Sequence, residues 1–197
     1  SLDLVSDFDP APAYLSHIAT MVDLEALRAT KYKVVIDPMH GAGAGYLNRL
    51  LGGGSTIVHE IRGTVNPSFP DMHNPEPIEH NRGVLRQTVL DTKSIIGIGL
   101  DGDADRVGAI DATGKYLTTP QVYALLVYYF LEVRQLRGPI IKSLTLSNMI
   151  WRLGELYNVP VHETGVGFKY IAPIMVATDA LIGGEESGGY AFKGHIP

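Results

Sequence analysis

Apolar positions along this chain repeat at two periods, and the switches between them mark out short elements. From residue 14 to about 30, Leu15, Ile18, Ala19, Val22, Ala26 and Leu27 recur at helical spacing. Lys33-Val-Val-Ile-Asp37, closed by Pro38, predicts a strand. His40-Gly-Ala-Gly-Ala-Gly45 then turns the chain into an apolar helical run over 46–51. Thr56-Ile-Val-His-Glu60 is a second strand, and Pro67, Pro70, Pro75 and Pro77 make 62–81 a loop. A helix over 83–91 leads into a strand over 95–100. Val107-Gly-Ala-Ile-Asp111 and Tyr116-Leu117 flank Thr113-Gly114, a hairpin signature.

A second unit opens at Thr119-Pro120, with Thr119 as N-cap and Pro120 at the first helical position. Its helix runs to about Arg137 and stops at Gly138-Pro139. Then come a strand over 139–142, a helix over 147–156, a strand over 160–163 and a helix over 169–177. Leu181-Ile182 is a short strand ending in Gly183-Gly-Glu-Glu-Ser-Gly-Gly189. The two units form a weak internal repeat: Ile57-Val-His-Glu60 aligns with Pro160-Val-His-Glu163, 103 residues later. Alternating strands and helices predict an α/β fold, two tandem similar α/β/α layered domains with mixed, mainly parallel sheets. The expected division is a linker at 1–13, one domain at 14–117 and a second at 118–197.

Composition narrows the function classes. The 45% apolar and 19% charged residues describe a globular chain with material for a core. A net charge of -5 argues against a broad basic surface for nucleic acid. The absence of cysteine excludes disulfides and cysteine-bound zinc. The longest apolar run, Tyr123 to Leu131, is too short to span a membrane. Residues 1–12 carry Asp3, Asp7 and Asp9 and no basic residue, unlike a signal peptide. The expectation is a cytoplasmic protein with neither nucleic-acid nor membrane partners.

The strand over 95–100 ends in Asp101-Gly-Asp-Ala-Asp-Arg106. Two like charges about 4 Å apart cost on the order of 4 kcal/mol at an effective dielectric near 20. Such a cluster is either splayed into water or wrapped around a cation. Helix and strand geometry both fail to converge residues two apart on one ion, whereas a curled loop with Gly102 and Ala104 succeeds. An all-oxygen ligand set favours Mg²⁺, with Ca²⁺ or Mn²⁺ as options. Arg106 either neutralises these aspartates or contacts a phosphate that shares the metal.

Other motifs divide similarly. Gly97, Gly99 and Gly102 match G-x-G-x-x-G, but acidic residues rather than a helix follow, which rules out a dinucleotide site. An EF-hand fails because Arg106 and Ala112 stand where Gly and Glu are needed. The Gly41 to Gly45 run is either a tight structural turn or an anion-facing one. Glu185, Glu186 and Ser187 lie among glycines; they form a solvated turn or a site for sugar hydroxyls. Lys142 and Lys169 are surface lysines, phosphate ligands or a general base. His59, His73, His80 and His162 lack metal-ligand spacing and read as structural, with His73 placed near the site by its loop.

Asp101-Gly-Asp-Ala-Asp-Arg106, Thr164-Gly-Val-Gly-Phe-Lys-Tyr170 and Gly184-Glu-Glu-Ser-Gly-Gly189, in this order, resemble the α-D-phosphohexomutases, which include phosphoglucomutases and phosphomannomutases. The Asn66 to Pro77 segment is similar to that family's second domain. The likeness covers roughly 14–197 and implies domain 2 and most of domain 3 of a four-domain enzyme. It implies that Asp101, Asp103 and Asp105 hold Mg²⁺ with a phosphoserine oxygen. Arg106 then contacts phosphoserine or substrate, and Glu185 and Ser187, flanked by Gly184 and Gly188, bind sugar hydroxyls. Lys142 and Lys169 occupy active-site lysine positions, either being the candidate base. Gly189 stands where some phosphomannomutases carry His, which favours the phosphoglucomutase side.

The resemblance further implies interconversion of hexose 1-phosphate and hexose 6-phosphate through a phosphoserine enzyme and a hexose 1,6-bisphosphate. Domain 1, with its phosphoserine loop, and the phosphate-binding domain 4 are expected outside this chain; Ser16-His17 is followed by Ile18 in a helix and does not match that loop. The isolated chain is expected to be inactive and to bind metal weakly. Two other classes compete: a non-catalytic Mg²⁺-dependent sugar-phosphate binding module, and a metal-dependent phosphatase with Asp101 or Asp103 as nucleophile.

Overall fold

The computed structural model describes residues 4–195, so residues 1–3 of the expected linker and 196–197 of the expected second domain lie outside the described residues. Strands β1 (Lys33–Asp37), β2 (Ile57–Glu60), β3 (Ile96–Leu100), β4 (Val107–Asp111) and β5 (Tyr116–Leu117) form a sheet in the order β2-β1-β3-β4-β5. Strands β6 (Ile140–Ser143), β7 (Val161–Thr164), β8 (Ile182–Gly184) and β9 (Tyr190–Phe192) form a second, ordered β7-β6-β8-β9. In each sheet the first strand in chain order lies inside the sheet and pairs in parallel with two others, and the next strand returns antiparallel. The repeat read in the sequence is thus a repeat of topology, with Ile57–Glu60 and Val161–Thr164 as equivalent edge strands.

Parallel pairs need long crossovers, and helices supply them. In the first unit these are α3 (Tyr46–Leu51) and α4 (Gly83–Thr92); in the second, α6 (Met149–Tyr157) and α7 (Phe168–Thr178). One core packs Val35 and Ile110 of the sheet against Leu85 and Val89 of α4. In the second unit, Ile140 and Ile182 pack against Ile150 and against Tyr123, Val127 and Leu131, and Ile141 and Ala191 pack against Ile171 and Met175 of α7. Each such fully buried aliphatic contributes roughly 1.5–3 kcal/mol.

The helix expected over 14–30 is two helices, α1 (Ala11–Met21) and α2 (Leu24–Ala29). Val22 is extended, and the Asp23 carboxylate caps α2 by accepting from the Ala26 amide at 2.9 Å. The apolar period runs through this break unchanged, so only the cap marks it. Helix α1 also begins inside the expected linker. The cap of α5 (Thr119–Tyr128) is Thr118 rather than Thr119. Its hydroxyl accepts from the Gln121 amide while its own amide donates to Gln121 Oε1, a capping box. After a π-helical turn, Tyr129–Val133, α5 ends short of Arg137, whose guanidinium donates to the Leu131 and Leu136 carbonyls. Strand β9 carries only three residues, too few to show a period.

Candidate active site

Both acidic glycine loops follow a parallel strand at its carboxyl end, the edge where open α/β sheets gather ligands. The first follows β3. Asp101 is buried, and its carboxylate accepts the Arg106 amide at 3.0 Å, curling 101–106 into a closed loop. Ala104, at φ +64°, makes the reversal. Asp103 and Asp105 are exposed, and one oxygen from each of the three aspartates lies within 4.8 Å of the others. Burial raises the Asp101 carboxyl to about 6; the Arg106 amide opposes this and the other two aspartates add to it. This clustering of ionisable oxygens on a loop is the donor chemistry that suits a hard divalent cation.

Arg106 lies among the acids. Its Nε is 3.1 Å from Asp101 Oδ2 and 3.4 Å from Asp105 Oδ1, and Nη1 is 3.4 Å from Glu76 Oε1. Of the two roles open to Arg106, neutralising the loop is therefore visible. Glu76, from the proline-rich loop, is a carboxylate that sequence reasoning missed. Nothing in the local pattern of 62–81 says which of its residues folds back.

Two segments clamp this loop. The Gly102 amide donates to the Pro75 carbonyl and the Gly102 carbonyl accepts the Ala42 amide, both at 2.9 Å. A Cβ at 102 would lie 2.8 Å from Pro75 Cγ, so only glycine fits. The Gly41 to Gly45 run is thus structural: the Gly45 amide, at the start of α3, donates to both Glu60 carboxylate oxygens at 3.2 and 3.1 Å. That internal carboxylate takes the position an external anion would need. The proline-rich loop is held by Asn81, which donates to the Glu76 carbonyl, and by Arg62, which pairs with buried Asp37 at the end of β1. His73 is exposed.

The second loop joins β8 to β9. Gly188 donates to the Glu185 carbonyl and Glu185 to the Gly189 carbonyl, at 3.2 and 3.1 Å. Inside this turn the Ser187 hydroxyl donates to Glu185 Oε1 at 2.5 Å. Gly184 is buried against Tyr123 and Tyr190. Gly188 adopts φ +99°, and its carbonyl accepts the Val107 amide at 3.2 Å. Val107 directly follows Arg106, so the two loops, one from each sheet, meet through their backbones.

The lysines separate. Lys142 is fully buried on central strand β6, in register with Glu163 on one side and Gly184 on the other. Its ammonium lies 2.5 Å from Glu163 Oε2. Lys169 is exposed at the start of α7, with its ammonium 5.0 Å from the Tyr170 ring. The bond from Lys142 holds the Glu163 carboxyl below its ordinary range, against a smaller upward push from burial. A depressed carboxyl adds stability above its unfolded pKa and loses it as the pH falls through the folded value. Glu163→Gln should therefore flatten the acid limb of melting temperature against pH, measured by circular dichroism, and lower stability near neutrality by leaving a buried ammonium without its counter-charge.

Comparison with known proteins places this geometry. Residues 12–114 match the family model described as Phosphoglucomutase/phosphomannomutase, alpha/beta/alpha domain II, and 119–197 match its domain III. The phosphoglucomutase/phosphomannomutase of Thermococcus kodakarensis is 30% identical over 183 residues, covering 93% of this chain and 40% of the relative. The phosphoglucosamine mutase of Corynebacterium jeikeium is 30% identical over 198 residues, covering 95% of this chain and 41% of the relative. A crystal structure named "putative phosphomannomutase", from Thermus thermophilus, superposes with TM-score 0.90 at 35% identity, over 96% of this chain and 44% of that one. The chain thus spans about 40% of the length of the curated relatives it matches.

Proposed function

Because the chain belongs to the phosphoglucomutase/phosphomannomutase family, we propose that it forms the second and third domains of a longer phosphohexomutase. The full enzyme interconverts a hexose 1-phosphate and a hexose 6-phosphate. It does so through a phosphoserine on a domain outside this chain and a hexose 1,6-bisphosphate. The domain division is close to 14–117 and 118–197. One observation carries the reading: a cation-suited carboxylate loop and a carboxylate–hydroxyl loop, each at the end of a different sheet, join at Val107 and Gly188.

Asp101, Asp103 and Asp105 would hold Mg²⁺, which supplies charge neutralisation to the phosphoryl group in transfer. The other residues position and polarise. Arg106, restrained by Asp101 and Glu76, keeps a guanidinium at the rim of the acidic loop, suited to a phosphate oxygen. The Glu185 carboxylate and Ser187 hydroxyl form a donor–acceptor pair for adjacent sugar hydroxyls. Lys142, beside Gly184 and shielded from water, is the buried candidate for a proton or a phosphate at that loop, and Lys169, exposed at the start of α7, is the solvent-facing one. Gly189 favours glucose over mannose phosphates.

The test is conversion of glucose 1-phosphate to glucose 6-phosphate by the full-length protein, with mannose and glucosamine phosphates in parallel. Turnover of any one establishes the class and names the sugar. Turnover of none, with phosphate release instead, would establish the phosphatase reading. Because a phosphoserine oxygen is needed to complete the ligand set, residues 1–197 alone should give no calorimetric signal for Mg²⁺ at micromolar concentrations. Micromolar affinity there would overturn the shared metal site.

A further inference from the structure

Glu185 and Glu186 of the second loop are the same residue type side by side in sequence, yet they separate in space. Glu185 and Ser187 face each other inside the turn, and Glu186, between them, points the other way. Its Oε2 accepts from the Ser143 hydroxyl at 2.8 Å and from the Thr145 hydroxyl, at and just past the end of β6. Its backbone carbonyl accepts from the Thr119 hydroxyl at the start of α5. Ser143 is fully buried, so the bond joins the loop to the central strand rather than to another surface segment. The loop is short and glycine-rich, and the Glu186 side chain adds an anchor at β6 to the backbone bonds that hold Glu185, Gly188 and Gly189. Burial alone would push the Glu186 carboxyl up, but the Thr145 and Ser143 hydroxyls and its own amide outweigh this and lower it.

We infer that Glu186 is a positioning residue: by anchoring the loop to Ser143 and Thr145 it sets the mutual orientation of Glu185 and Ser187 toward the sugar. The inference rests on the reading of this loop as the sugar site. Fixing two polar groups before the ligand arrives removes an ordering cost from binding. The loss is therefore felt in substrate binding more than in turnover. Both hydroxyls donate to a single oxygen of Glu186, so a glutamine, with its one carbonyl oxygen, preserves the anchor.

The experiment uses the full-length protein and its preferred hexose phosphate. Glu186→Ala should raise KM about tenfold with kcat changed about twofold or less, and Glu186→Gln should stay near the parent in both. Thr145→Val, which alters the anchor without touching the loop, should raise KM in the same direction by a smaller factor. Melting temperatures identify any variant that fails to fold, and in that event the Gln and Val variants carry the test. An unchanged KM in Glu186→Ala, or equal damage from Ala and Gln, overturns the anchor. Glu185→Gln and Ser187→Ala serve as the control on the site itself. If neither raises KM, the sugar-loop reading fails; if they do and Glu186→Ala does not, only the anchor fails.

Discussion

Asp103→Asn in the full-length protein should lower kcat by about 10³-fold at saturating Mg²⁺, while leaving the far-ultraviolet dichroism unchanged. A metal ion contributes several kcal/mol to a phosphoryl-transfer transition state, and about 1.4 kcal/mol corresponds to tenfold in rate. Asparagine keeps the size of the side chain and one oxygen but removes the charge that holds the cation. The choice of position matters. Asp101 is buried and bonds the Arg106 amide and guanidinium, so its replacement would disturb the loop as well as the charge. Asp103 is exposed, so its loss reads on the metal more directly. Steady-state kinetics against Mg²⁺ concentration would check this, and full activity in the variant would sink the assignment of 101–106 as the metal loop.

Gly188→Ala should combine a clear loss of stability with a raised KM. A non-glycine residue at φ +99° costs of order 1–3 kcal/mol before any contact is counted. The added methyl would also lie 2.9 Å from the Val107 carbonyl oxygen and 3.3 Å from Thr119 Cγ2. Relief requires the loop to lift away from β4, which breaks the Val107–Gly188 hydrogen bond and separates the sugar loop from the metal loop. Denaturant unfolding should show about 2–4 kcal/mol of destabilisation. The kinetic effect should appear with Mg²⁺ present in excess, because the metal ligands themselves are untouched. A stable variant with parental KM would mean that the two loops work independently of this contact.

A large part of this protein was determined by the order of its residues. Periodicity placed most of the helices and strands, because a buried strand and an amphipathic helix are local solutions to local burial. The repeat of Ile57–Glu60 in Pro160–Glu163 anticipated two sheets of one topology. The loop of Asp101, Asp103 and Asp105 was legible because three carboxylates spaced by small residues have few stable arrangements. Capping chemistry was less legible: the Asp23 cap that splits the first helix and the Thr118 cap of α5 depend on single side chains that the apolar period does not register.

Tertiary structure decided what long-range contacts alone can decide. Glu76 reaches Arg106 from a loop about thirty residues upstream, and Glu60 fills the start of α3 that a glycine turn left open to an anion. Lys142 and Lys169 were equivalent in sequence. Folding buried one beside Gly184 on the central strand and left the other exposed at a helix start. Glu185, Glu186 and Ser187 read as one polar cluster until the turn faced two of them inward and tied the third to β6. Each outcome turns on which side chain meets which backbone after the sheets have formed. A pattern of neighbours along the chain carries the energy of burial, and the pairing of polar groups across it is settled only when distant strands are brought side by side.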